Sequence, residues 1–314
     1  MVATYFVLGL VAYWPVVSEI SHHIFSGEGD LTLTVWYLGW VPHALTHGLN
    51  PFFSNAMFAP TGVNLAQNTE APLLGLIAAP FTLAFGPLVS TNLFMVLGMP
   101  ISATAAFVVL RKWQVWGPAA ALGGLIYGFS PYMVGQSLAH PVVSFVPLPP
   151  FIVMTVVSIL QRRGPPRRLG IQLGLLVAAQ YFVSPEVLVT VAVLTGAALV
   201  FVALKSPSKV PQVARTAAGP IGLSLVVAVV LLAYPFWMLL AGPQHVSGPI
   251  YPLINFYHND LLSFVDHGLL QKVSLGMQSI WAGPLGWARS PEDGGYLGIP
   301  VLILGLLGFL WVNF

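Results

Sequence analysis

The chain is built from apolar runs of about twenty residues, the length that an α-helix needs to cross the hydrocarbon core of a bilayer. Of its 314 residues, 57% are hydrophobic and only 6% are charged, whereas a soluble domain carries about 25% charged residues. The runs lie at 3–25, 89–110, 117–134, 142–160, 169–184, 187–204, 217–240 and 297–314. They predict an all-α fold, a polytopic membrane helical bundle of about eight spans.

The spans predict a single transmembrane domain over residues 1–314, with long outer loops at 26–88 and 241–296. Both ends of the chain lie inside apolar runs, so we expect it to be a fragment of a longer protein. One further run, 72–87, is shorter than a span and has Pro80 at its middle. A full crossing there would put the first long loop on the same side as Arg111, so we predict an interfacial or re-entrant helix.

Apart from Lys272 and Arg289, the charged residues of the span connections separate by sign between the two faces that these spans define. The basic residues of the span connections are Arg111, Lys112, Arg162, Arg163, Arg167, Arg168, Lys205, Lys209 and Arg215. The acidic residues of the opposite connections are Glu28, Asp30, Glu70, Glu186, Asp260, Asp266, Glu292 and Asp293. Because cytoplasmic loops carry the excess of Lys and Arg, we predict that the acidic face is periplasmic or extracellular.

Two carboxylates, Glu28 and Asp30, follow the first span in the stretch HIFSGEGDLTLTVWYLGWVPHAL. Aromatic and imidazole side chains follow them at helical spacing, at Trp36, Trp40, His43 and His47. This pattern predicts an interfacial helix with an aromatic–imidazole stripe. Asp30 fits the N-cap of that helix, since Asp is a preferred capping residue. It also fits a general base held at the outer surface, which would act on a hydroxyl nucleophile, and the two roles are compatible.

The rest of the first outer loop is polar and has no apolar period. Asn64, Asn68 and Glu70 lie in its stretch NPFFSNAMFAPTGVNLAQNTEAP and are candidates for binding sugar hydroxyls. Long loops of this kind are commonly functional. The alternative is a surface loop whose polar groups satisfy one another.

Two later outer turns carry a Ser-Pro pair at a helix break. The turn YGFSPYMVGQSLAHP offers Gln136 and His140, and the turn QYFVSPEVL offers Glu186. Ionisable groups at membrane depth are costly and usually face a cavity, so His140 and Glu186 are candidates for substrate binding, and the Gln136 amide on the first turn is a further candidate. We predict that Asp30, His140 and Glu186 share one outer cavity.

Other polar clusters have a weaker pattern. The second outer loop mixes aromatic residues with His258, a further candidate for carbohydrate binding, although an ordinary folded loop has the same composition. Glu19, His22 and His23 have the spacing of a metal site, but this short pattern is unspecific and a polar collar at the end of a span is the favoured interpretation. The chain contains no cysteine. It also lacks Walker, G-x-G-x-x-G, H-E-x-x-H and G-x-S-x-G motifs, so we expect no nucleotide cofactor.

Several stretches together resemble a known superfamily. These are the acidic GEGD after the first span, the short PLLGLIAAPFTLAFGP, the span ending in FVVLRK, and the span ending in GFSPYMV. The chain resembles the GT-C integral-membrane glycosyltransferases, and the loop NPFF…PTGVNL with the late GGYLGIPVLIL resembles an uncharacterised actinobacterial branch. The chain departs from the pattern in having no adjacent D-D or D-E pair.

The resemblance implies an enzyme of the cell membrane that transfers a sugar from a polyprenyl-phosphate donor to a glycan or lipid acceptor. The family's proposed base is the acidic residue of the first outer loop, which would be Asp30, with Glu28 as its rival. Glu186 and His140 would then position the donor phosphate, directly or through a divalent metal. The implied partners are the donor, the acceptor and the bilayer, with no nucleic acid. The alternatives are a lipid or polysaccharide transporter and a non-catalytic scaffold of an envelope-synthesis complex.

Overall fold

The computed structural model of the protein describes residues 1–24, 29–67, 71–248 and 298–313. These ranges are mostly helical, which confirms the all-α class. The helices are α1 (Val2–Ala12), α2 (Trp14–Ser18), α3 (Gly29–Thr46), α4 (Pro72–Phe85), α5 (Pro87–Lys112), α6 (Gly117–Gly128), α7 (Pro131–Ala139), α8 (Pro141–Ser144), α9 (Leu148–Leu160), α10 (Pro166–Val183), α11 (Pro185–Lys205), α12 (Val210–Ala241) and α13 (Ile299–Asn313). A two-stranded antiparallel ribbon pairs β1 (Phe53–Ser54) with β2 (Val63–Asn64).

Four helical stretches are long and apolar enough to cross a membrane. They are Pro87–Lys112, Pro141–Leu160, Pro185–Lys205 and Pro207–Ala241. They coincide with four of the predicted spans and indicate a membrane protein. Among the residues that the structure describes there are four such stretches, so the predicted count of eight spans is not confirmed.

The first predicted span, 3–25, is not one continuous helix. Helix α1 ends at Ala12, α2 ends at Ser18, and turns follow as far as His22. Pro15 explains the break, because its ring has no N–H to donate and clashes with the carbonyl four residues earlier. The predicted span 117–134 is likewise divided, into α6 and α7, at the Ser130–Pro131 pair.

The short run at 72–87 forms a short helix, as predicted. Helix α4 has 14 residues, or about 21 Å at 1.5 Å per residue, against a hydrocarbon core of about 30 Å. It ends at Gly86, whose φ of 89° few other residues adopt at low cost. Helix α4 packs along α3, with Gly75 directly against Val41. The placement of α4 relative to the bilayer remains a prediction.

Helices α10 and α12 make close backbone contact through small residues. Gly170 lies against Pro220, and Gly174 lies against Ser224 and Val227. Residue numbers rise in the same direction along both helices from the first contact to the second, so the two helices run parallel and start at the same end of the bundle. The α9–α10 and α11–α12 connections, which carry two of the three basic clusters, therefore share one end.

The break between α8 and α9 is held by side chains of neighbouring helices. The backbone N–H of Val146 donates to Ser102 Oγ of α5 at 3.0 Å, and the Val146 carbonyl accepts from the Tyr127 hydroxyl of α6 at 2.8 Å. Non-helical backbone is tolerated at membrane depth only where protein or a water-filled cavity satisfies it. These two bonds fix the point at which the chain leaves α8, the helix that follows His140.

Candidate functional site

Asp30 and His140 meet in the folded protein, although 110 residues separate them. His140 Nε2 lies 2.8 Å from Asp30 Oδ2, and the side chains are 18% and 66% exposed respectively. An ionised carboxylate can only accept hydrogen bonds, so the imidazole donates its Nε2–H to Asp30. The pair joins a largely buried imidazole to a carboxylate that is open to solvent.

Helix α3 brings Asp30 to this position. Asp30 lies in the first turn of the helix, which begins at Gly29, so it is not the N-cap residue considered from the sequence. A negative charge is nevertheless favourable there, because the first turn of a helix carries a partial positive charge. The next residue, Leu31, is fully buried in a core cluster with Met95 and Met99 of α5. This packing fixes the start of α3 against the bundle.

Asn92 of α5 supports the chain just before that helix. Its side chain is fully buried, and its Nδ2 donates to the carbonyls of Ile20 and His23 at 2.8 and 2.9 Å. These carbonyls belong to the turns after α2, where no helical partner is available. Asn92 thereby ties the end of the first segment to α5.

Helix α7 aligns three of the relevant side chains. Ser130 caps the helix by accepting from Met133 N–H at 3.3 Å, and Pro131 occupies its first turn. Tyr132, Gln136 and His140 then follow at four-residue spacing, which places them on one face. At 1.5 Å per residue, Tyr132 and His140 lie about 12 Å apart along this stripe.

Glu186 belongs to α11 and not to the stripe of α7. Ser184 caps α11, so Glu186 stands in the first turn of that helix and is exposed. Val187 packs against the same core cluster as Leu31. Asp30, Tyr132 and Glu186 are thus each next in sequence to a residue of this cluster, Leu31, Met133 and Val187 respectively.

Asn64 was predicted to bind sugar hydroxyls, but its side chain is hydrogen-bonded to backbone groups of the protein. It is 3% exposed. Its Nδ2 donates to the carbonyls of Met238 and Pro243 at 2.7 and 3.0 Å, and its Oδ1 accepts from Ala66 N–H at 3.0 Å. Both amide hydrogens are committed to the backbone at the end of α12. Asn64 attaches the first outer loop to that helix and has no donor left for a sugar hydroxyl.

Four of the predicted site residues lie outside the described residues. They are Glu28, Asn68, Glu70 and His258. Gln136, which is described, is half-buried on the stripe of α7.

The aromatic–imidazole stripe predicted on α3 forms a continuous ladder. Trp36 and Trp40 stack with ring centroids 5.5 Å apart, Trp40 and His43 lie 5.7 Å apart, and His43 and His47 lie 4.2 Å apart. Trp40 Nε1 donates to the Pro51 carbonyl at 3.1 Å. The ladder packs the first outer loop onto α3, so its role here is structural.

The potential metal ligands do not gather. Glu19, His22 and His23 are exposed in the turns after α2. Within the described residues no three His, Asp or Glu side chains come close enough to hold a metal ion. Asp30 and His140 supply two ligands at most from this part of the chain, and the chemistry proposed below uses no metal.

Two residues of this region were missed in the sequence. Tyr132 could have been predicted, because it shares the four-residue spacing of Gln136 and His140. Asn92 could also have been predicted, as an isolated amide in the first turns of a predicted span, where an unpaired polar group is costly.

Comparison of the chain with protein-family models, with curated proteins and with solved structures finds no match. The likeness to GT-C glycosyltransferases therefore rests on the sequence motifs. The site must be judged on its own geometry.

Proposed function

We propose that the protein is a membrane glycosyltransferase that moves a sugar from a polyprenyl-phosphate donor to a glycan or lipid acceptor on the outer face of the cell membrane. The observation that carries this proposal is the Asp30–His140 pair. A solvent-open carboxylate held by a buried imidazole is a suitable base for a hydroxyl nucleophile.

The two residues of the pair have different roles. The Nε2–H of His140 binds one carboxylate oxygen of Asp30 and fixes the direction of the other. Asp30 takes the proton of the acceptor hydroxyl while that oxygen attacks the anomeric carbon. The bond from the anomeric carbon to the phosphate oxygen breaks, and the lipid phosphate leaves with the electron pair. The configuration at the anomeric carbon is inverted.

The stripe on α7 provides contacts for the donor sugar. Sugar hydroxyls both donate and accept hydrogen bonds. Gln136 and Tyr132 offer donors, and Glu186 in the first turn of α11 offers an acceptor. Glu186 would repel a phosphate, so we place the sugar hydroxyls there and the lipid phosphate away from it. A lipid phosphate as leaving group also agrees with the absence of nucleotide-binding motifs.

The proposed orientation is testable by cysteine labelling, because the chain has no cysteine of its own. Ala56 and Gln161 are both exposed, on the first outer loop and the α9–α10 connection respectively. In intact cells or protoplasts, an impermeant maleimide should modify Ala56→Cys and spare Gln161→Cys. Both variants should react after permeabilisation, which controls for accessibility. If only Gln161→Cys were labelled from outside, the protein would have the opposite orientation and the proposed active face would not be the outer one.

The positioning role of His140 is tested by a double-mutant series. His140→Leu should lower sugar transfer by up to about 10²-fold, the cost of misplacing a reacting group by roughly 1 Å. His140→Gln, which keeps a side-chain N–H, should recover part of the loss. The measurement is transfer of radiolabelled sugar from a polyprenyl-phosphate donor by the purified protein, full-length if the chain continues.

His140→Leu should also cost little more when Asp30→Asn is already present, because residues that act as a unit are non-additive. Independent, additive losses would show that His140 does not act through Asp30. Absence of transfer by the unaltered protein, with every donor and acceptor offered, would favour the scaffold or transporter alternatives.

A further inference from the structure

The end of the bundle opposite the acidic connections carries an unusual concentration of positive charge. Four arginines, Arg162, Arg163, Arg167 and Arg168, lie within seven residues at the α9–α10 connection and are all exposed. The first turn of α10 adds the partial positive charge of a helix N-terminus. Among the described residues the only ion pair joins Asp30 to His140, so none of these arginines is paired with a described carboxylate.

A groove begins at two of these arginines and continues along α10. It has a volume of about 680 Å³ and is lined by Pro165, Arg167, Arg168, Ile171, Gln172, Leu175 and Leu176. All its lining residues belong to α10 or directly precede it, so the groove is shallow, with its cationic end at the start of the helix and an aliphatic floor over the next two turns. Ile171 and Leu175 are 36% and 51% exposed, so other helices of the described chain leave this floor uncovered.

We infer that this groove binds an anionic phospholipid of the leaflet that contacts the basic end of the bundle. The lipid phosphate pairs with Arg167 and Arg168, and one acyl chain lies along Ile171 and Leu175. Guanidinium groups match phosphate oxygens in two-point hydrogen bonds. The order of the groove, cationic then aliphatic, matches the order of headgroup and chain in a phospholipid.

Simple attraction of the basic end to an anionic surface is the alternative explanation. That explanation depends on charge alone, wherever it lies at this end. The inferred site instead needs the two arginines that line the groove, their guanidinium shape and the space along α10. These requirements can be separated experimentally.

The measurement is native mass spectrometry of the purified protein in detergent with equimolar phosphatidylglycerol and phosphatidylcholine of identical acyl chains. One juxtamembrane cation contributes about fivefold to binding of anionic lipid, so two predict about a 30-fold preference for phosphatidylglycerol. Arg167→Gln with Arg168→Gln should abolish most of that preference. Arg167→Lys with Arg168→Lys keeps the charge and should retain only part of it, because lysine lacks the planar fork.

The matched control is Lys205→Gln with Lys209→Gln, which removes two charges from the same end of the bundle but outside the groove. It should leave the preference nearly unchanged. An equal loss in both pairs would show that general surface charge is responsible and would overturn the inference. So would a preference unaffected by either pair.

The acyl-chain part of the site has its own test. Leu175→Trp fills the groove and should lower phosphatidylglycerol retention with the arginines intact, whereas Leu194→Trp on exposed α11 should not. An equal effect of the two substitutions would place the chain elsewhere. Inorganic phosphate in excess should raise the thermal unfolding temperature less than the phospholipid does. Equal protection by phosphate would assign the arginines to a free anion instead of a lipid.

Discussion

Asp30→Asn is expected to lower sugar transfer by about 10²–10⁴-fold, the usual contribution of a positioned general base. The amide keeps the size of the side chain, and its oxygen still accepts the His140 Nε2–H that now reaches Asp30 Oδ2 at 2.8 Å. It cannot take a proton from the acceptor. The fold should change little, by at most about 1 kcal/mol for the charge lost from the first turn of α3.

The control is Glu28→Gln, two residues earlier in the sequence. It should cost much less activity if Asp30 is the base. A loss of activity in Glu28→Gln alone would show that Glu28 is the base instead of Asp30. Full activity in both variants would show that the base does not lie in this segment. Thermal unfolding of each purified variant separates a loss of catalysis from a loss of structure. Asp30→Ala is less informative, because it removes the charge and the His140 contact together.

Gly174→Leu should be the most damaging single substitution between α10 and α12. A Cβ at this position would lie 2.7 Å from the Ser224 carbonyl oxygen and 2.7 Å from Val227 Cβ. The carbonyl belongs to the backbone of α12, so no rotamer change can relieve the contact and the helices must separate. Overpacking of this kind costs about 1–3 kcal/mol and sometimes more. Unfolding in mixed micelles with increasing denaturing detergent measures it.

Gly196→Leu provides the matched control. Gly196 lies within α11, and a Cβ there meets nothing within 4 Å. Leucine is a better helix former than glycine by about 0.8–1 kcal/mol in a helix interior, so this variant should be as stable as the parent or slightly more so. Equal destabilisation at the two positions would show that the α10–α12 contact contributes no special stability.

The sequence predicted the elements that depend on local pattern. The helix that contains Asp30 could be predicted from aromatic spacing, and the short helix at 72–87 from its length and the central Pro80. The break after Ala12 was missed because the hydropathy of the first run hides the effect of Pro15. Hydropathy measures solubility in lipid, whereas the break follows from one missing backbone donor.

The site was only partly predictable, because sequence patterns identify polar residues but do not give their partners. Asn64 looked like a ligand for sugar in a polar loop. Its actual partner, the Met238 carbonyl, lies 174 residues away. The proximity of Asp30 and His140 was expected from the shared outer face, but their direct hydrogen bond depends on how α7 packs beside α3. Asp30 and Glu186 are each followed by a residue of one core cluster, Leu31 and Val187, and the predicted sharing of a cavity with Glu186 stays a prediction.

The side-chain clamp on Val146 has a consequence for the response to bilayer thickness. Ser102 and Tyr127 tie the chain between α8 and α9 to α5 and α6, so lipids do not set its depth. Helix α11, by contrast, has no buried residue and can tilt at little cost in packing. Helices in a thinner or thicker membrane accommodate the mismatch by tilting. We expect such tilting to fall on α11, while the distance between Asp30 and His140 stays the same in short-chain and long-chain lipids.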